Sequence, residues 1–203
     1  MINRILIITL LTIISFQASA QLMEKELRES LSTEFKDDDV ESILLCMEFF
    51  ENQLKTFFNL SENSNEDPIA KFIEYTEENY PDFEIPLDFS AQQELYQKLR
   101  TYFFIQTWSY GLLTRGEDQT TYISINLKAN SPLIKYLRKR SKKVKVVTKY
   151  LDTLEAAGGT SPSMAGTMAS FIPLEHQQNL ELRILITLHY LTLNDRIKRR
   201  DRM

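Results

Sequence analysis

Residues 90–127 read SAQQELYQKLRTYFFIQTWSYGLLTRGEDQTTYISINL, and how this stretch folds decides the class of the whole chain. Ser90 with Gln93 three residues on has the form of a capping box, in which the two side chains satisfy the free amides of a helix start. Leu95, Leu99, Tyr102, Gln106 and Leu113 follow at helical spacing, and Gly116 after Arg115 supplies the residue type that ends helices in the left-handed conformation. The spacing predicts one long helix over 90–115. Its aromatics, Tyr96, Tyr102, Phe103, Phe104, Trp108 and Tyr110, spread around the wheel, as they do on a helix buried over much of its circumference. The pattern then changes: Thr121, Ile123, Ile125 and Leu127 alternate as a strand would. A strand needs a partner, and the nearest candidate, residues 144–148, falls in a predicted helix. Residues 119–127 are therefore expected to be an extended segment or small hairpin within an all-α protein.

Helix punctuation on either side supports that class. Asp38 with Glu41 predicts a capping box opening a helix that runs through Leu60, and Asp67-Pro68 predicts an N-cap and first helical position. Ser131-Pro132 opens a helix over 132–157 that Gly158-Gly159 closes, and a last helix is expected from about Glu175 to Arg200. Residues 22–35 predict a weakly amphipathic first helix. The expectation is a single-domain bundle of about six helices, with the last, apolar on nearly every side, the most buried.

Composition agrees. The chain has 203 residues, 43% hydrophobic, with 5 glycines, 6 prolines and a single cysteine, which excludes collagen-like, low-complexity and disulfide-scaffold classes. Met1–Arg4, the apolar run Ile5–Phe16 and the small residues ending at Ala20 have the three parts of a secretory signal, so residues 1–20 are expected to be removed and 21–203 to form the mature domain. The apolar run is too short to span a bilayer, and no transmembrane segment is expected in the mature chain. Cys46, in the run Ile43–Met47, reads as a buried structural thiol; with no second cysteine to bridge, a bacterial periplasm or exterior fits best.

Charge is unevenly distributed. Residues 21–94 hold 20 acidic and 5 basic side chains, whereas residues 95–203 hold 8 acidic and 18 basic ones. Either the halves attract one another within one core or each meets its own partner. On the helix predicted over 132–157, Lys135, Arg138, Lys139, Lys142, Lys145 and Lys149 form a basic face, with Leu137, Val144, Thr148 and Leu151 opposite. These six residues are the candidate binding surface, suited to an acidic protein partner or an anionic envelope surface. A pI near 5.4 and the lack of a recognisable motif argue against nucleic acid.

Motifs for chemistry are sparse. His176 and His189 are 13 residues apart and cannot chelate one ion as an i, i+4 pair can; neither sits in HExxH or ExxH. Asp37-Asp38-Asp39 lacks the spacing of a calcium loop and reads as helix capping. The small-residue stretch 158–173 lacks the Lys-Ser/Thr of a phosphate loop and reads as a connector. No catalytic residue, metal or cofactor is assigned. The expected function is a non-catalytic exported helical protein that binds a protein partner in the bacterial envelope, as an adaptor, inhibitor or immunity-type factor. The alternative is an exported metal-independent hydrolase using helix-borne carboxylates, for which Glu74 and Glu78 share a helix face.

Overall fold

The computed structural model describes residues 25–61, 64–114, 119–160, 164 and 179–202. The expected signal sequence, His176, the first residues expected of the last helix and most of the connector expected over 158–173 lie outside them. Among the described residues there are eight helices and one two-stranded antiparallel sheet. Helix α1 covers residues 25–32. It is followed by α2 (Asp37–Phe57), α3 (Pro68–Glu78), α4 (Phe89–Lys98), α5 (Thr101–Thr107), β1 (Trp108–Thr114), β2 (Thr121–Leu127), α6 (Pro132–Arg140) and α7 (Lys145–Ala157). The final helix, α8, spans Leu180–Arg200. The protein is mostly helical as expected, but with eight helices where six were predicted, because two predicted helices are interrupted.

The first interruption divides 90–115 into α4, α5 and β1. Leu99 and Arg100 both take extended backbone angles (ψ 146° and 125°). Long-range contacts hold them there: Leu99 is buried, the Arg100 amide donates to Ser42 Oγ at 3.2 Å, and its guanidinium donates to Asp39 at 3.0 Å. From Trp108 the chain is a strand, paired residue for residue with β2 from Trp108↔Leu127 to Thr114↔Thr121. Trp108-Ser-Tyr-Gly-Leu-Leu-Thr114 suits a strand better than a helix, since aromatic and β-branched residues fit a pleated surface and Gly111 would weaken a helix interior. The partner that 119–127 lacked on sequence grounds is thus the end of the preceding predicted helix. The cap also differs: Asp88, not Ser90, accepts the Ala91 amide at the start of α4.

The second interruption separates α6 from α7 at residues 141–144, so the basic residues do not lie on one continuous helix. Leu133, Ile134, Tyr136 and Leu137 of α6 are buried, as are Val147, Tyr150, Leu151 and Leu154 of α7. On an unbroken helix these two sets would sit about a quarter turn out of line. The turn at Ser141 and Val144, closed by Val144 N–H donating to the Ser141 carbonyl at 2.8 Å, lets both faces reach the core.

Other local signals hold. Asp67 Oδ1 accepts the Ile69 amide at 2.9 Å with Pro68 at the first helical position, Ser131 Oγ accepts from Ile134, and Gly158 ends α7 with φ 68°. Helix α2 begins at Asp37 without a side-chain cap, so the expected box does not form; Glu41 pairs with Arg28 instead. It ends at Phe57, short of Leu60, where Asn59 turns the chain at φ 52°.

Helix α8 is the centre of the molecule. Every residue from Leu182 to Asp195 is buried, with α2, α4, α6, α7 and β2 packed around it. Phe50, Phe72 and Phe83 close around Tyr190 from three sides, with ring centroids 4.7–6.2 Å from its own. The opposite charges of the two halves are joined inside this core. The Arg183 side chain, 3% exposed, pairs with Glu51 at 2.8 Å and with Asp67, whose other oxygen caps α3.

Candidate functional site

Several interior polar groups on α8 bond to other elements, while Arg183 Nε, Thr187 Oγ1, His189 Nε2 and Asn194 Oδ1 are buried without a partner among the described residues. Asp195, fully buried on the fifth turn of the helix, accepts from Arg199 Nε at 2.9 Å, Gln93 Nε2 at 3.1 Å, the Ile125 amide at 3.2 Å and Ser124 Oγ at 3.4 Å. Asn194 Nδ2 donates to Gln92, Gln92 donates to the Leu191 carbonyl, and Trp108 Nε1 donates to Thr192 at 2.9 Å. His189 shares a 2.7 Å hydrogen bond with the Tyr150 hydroxyl through Nδ1. Burial pushes this imidazole down to about 3, so it is neutral. The same burial pushes the Cys46 thiol up, which keeps it unreactive.

A surface groove of about 460 Å³ lies between the end of α2, the 84–90 segment and the end of α8. Its wall carries acids, Glu84 and Asp88, and bases, Lys198 and Arg202, but no histidine. Asp88 is engaged as the α4 cap and Arg202 stacks 4.2 Å over Phe89. Glu74 and Glu78 are exposed on α3 and do not line this groove. Among the described residues no three His, Cys, Asp or Glu side chains come together to hold a metal, and no helix is long and apolar enough to cross a membrane.

The six candidate residues fall into two groups. Arg138 pairs with Asp152 and Glu155 of α7, and Lys139 with Glu34, so these two serve the fold. Lys149, exposed on α7, also makes an interaction. Lys135, Lys142 and Lys145 are exposed, and among the described residues no acidic side chain pairs with them; the same holds for Lys143 beside them. The break between α6 and α7 places Lys142, Lys143 and Lys145 at the start of α7. That helix has no side-chain cap and no acidic residue in its first turn. Its free amides and the three ammonium groups add to one positive field, the reverse of the charge that a helix start normally attracts. The corner therefore suits a carboxylate-rich surface.

Sequence reasoning found the lysines but not what divides them, because the division depends on acids brought from α7 and from Glu34 just after α1. It expected an extended segment or small hairpin at 119–127 but missed that the pairing strand is Trp108–Thr114, and with it the apolar face that the pair exposes, for which the alternation from Trp108 to Thr114 was the available signal. Compared with protein-family models, curated proteins and solved structures, the chain matches none of them.

Proposed function

We propose that this is an exported, non-catalytic helical protein of the bacterial envelope whose task is to bind another protein, and that the partner presents an acidic surface to the α6–α7 corner. The observation that carries the reading is the set of exposed lysines at the uncapped start of α7 with which no acid among the described residues pairs, beside Arg138 and Lys139, which are paired. Unpaired charge of one sign steers an oppositely charged partner and raises its association rate. The test uses tagged protein beginning at Gln21, incubated with envelope extract of its native host. The wild type should retain a partner that the triple variant Lys142→Glu, Lys143→Glu, Lys145→Glu loses, with a melting temperature unchanged within about 2 °C, as exposed substitutions usually leave it. Equal capture by both proteins would overturn the reading. Retention on anionic phospholipid vesicles in place of any protein would transfer the corner to the membrane surface. Intact-mass analysis of the native protein should show a chain starting at Gln21, and retention of Met1 or Ile2 would overturn export.

A further inference from the structure

The groove at the end of α8 sets unmatched positive charge beside an apolar lining. Phe57 at the end of α2, Ile85, Pro86 and Phe89 at the start of α4 supply the apolar part. Phe57 is 38% exposed, while Ile85 and Phe89 are buried behind it. The backbone of this stretch offers a ligand little. The Glu84 amide donates to the Tyr75 hydroxyl, the Leu87 amide to the Ile85 carbonyl and the Asp88 amide to Gln53 Oε1, and Pro86 has no amide. Recognition here rests on apolar contact and side-chain charge.

Two cations line the same groove, Lys198 on α8 and Arg202 just past its end. Among the described residues no carboxylate pairs with either, whereas Arg199 and Arg200 between them pair with Asp195 and Asp201. The two acids of the groove do not neutralise them. Asp88 Oδ1 accepts the Ala91 amide at 2.7 Å at the start of α4, where the helix dipole offsets its charge, and Glu84 comes within ion-pair distance of neither base. Arg202 is also held in place: its guanidinium carbon lies 4.2 Å from the ring centroid of Phe89. A guanidinium resting on an aromatic face keeps N–H groups free for a carboxylate.

We propose that this groove binds a small monocarboxylate with an apolar body, the carboxylate at Lys198 and Arg202 and the body against Phe57, Ile85 and Pro86. Charge and lining together select this class. A cationic ligand meets two unpaired cations, and a compact inorganic anion uses the cations but leaves the apolar lining uncovered. Glu84 disfavours a second negative charge on the ligand. The volume, about 460 Å³, is that of a small-molecule site and takes a medium-length acyl chain or the last residues of a peptide. A free fatty acid and a peptide ending in an apolar residue carry the same chemistry, and the test separates them.

The probes are decanoate and acetyl-alanyl-leucine, each titrated into the nitrogen-labelled chain from Gln21 and followed by its amide resonances. At least one should give saturable shifts at Phe57, Ile85 and Phe89, with a Kd of about 0.1–1 mM for so small a ligand. Tighter binding of decanoate assigns the groove to a fatty acid, and tighter binding of the dipeptide assigns it to a peptide terminus. The double variant Lys198→Ala, Arg202→Ala, in which neither replaced side chain is buried, should keep its circular dichroism spectrum and bind roughly tenfold more weakly or worse. Decanol, the amidated dipeptide and acetate, which lack the charge or the body, should lose as much. The proposal is overturned by the absence of saturable shifts with both probes up to about 10 mM. Binding that survives the double variant overturns it as well, as does equal binding of decanol, the amide or acetate. Lys142, Lys143 and Lys145 are intact in the double variant, so its partner capture reports on the α6–α7 corner separately.

Discussion

Helix α8 hides polar side chains and the β1–β2 hairpin displays apolar ones, and both depart from the usual sorting for the same reason. What matters is whether another element supplies a partner. Arg183, Asp195, Asn194 and Thr192 are tolerable in the core because α2, α3, α4 and the hairpin each bring a group that pairs with them. Tyr110, Leu112 and Ile123 stay exposed because no helix among the described residues covers that end of the sheet. The comparison teaches that hydrophobicity along this chain records neighbours rather than depth.

Substitutions can break the comparison at either end. The largest effect is expected at Arg183: Arg183→Met leaves Glu51 and Asp67 facing an apolar side chain and should cost about 3–5 kcal/mol in urea unfolding. A loss below about 1 kcal/mol would mean that the pair is strongly hydrated and that α8 does not depend on it. Next comes acid sensitivity through His189. Its folded pKa lies below the ordinary value near 6.5, so below that pH the unfolded chain binds a proton that the native chain refuses. The neutral imidazole's contribution is whole above about pH 6.5 and is lost as pH falls toward 3. About 2 kcal/mol should disappear between pH 6.5 and 5, and His189→Gln should flatten this part of the stability profile. Trp108→Phe removes the bond that ties the base of the hairpin to Thr192, whose hydroxyl still donates to the Leu188 carbonyl, and should cost about 1–2 kcal/mol. The smallest change belongs to the exposed end, where Tyr110→Ser should move monomer stability by no more than about 0.5 kcal/mol. A larger loss would show that the patch is part of the core after all.

The same division explains what could be read from the amino acids alone. Asp67-Pro68, Ser131 and Gly158 were legible because their chemistry is local: a side-chain oxygen meets an amide two or three residues away, or a glycine takes a left-handed turn. The deep burial of α8 was legible because its apolar residues cover every side of the wheel. Leu99–Arg100 and Ser141–Val144 were not, since the contacts that unwind the first come from Asp39 and Ser42, about sixty residues upstream, and the second turns so that two misaligned apolar faces reach one core. Trp108–Thr114 satisfied a helical and a strand pattern together, and only pairing with β2 decides between them. At the candidate corner, Lys142 and Lys145 were legible as basic. That Arg138 and Lys139 are spent on acids was not.

The element that closes the core is also the one that the chain reaches after every element it touches. While α1 to α7 and the hairpin emerge in order, Glu51, Asp67, Gln92 and Trp108 each wait for a partner on residues 183–194. Synthesis thus yields a polypeptide whose native core stays open until its last helix is complete. Closing the core is then a late step that waits for α8, even though most contacts of this helix-rich fold are local in sequence.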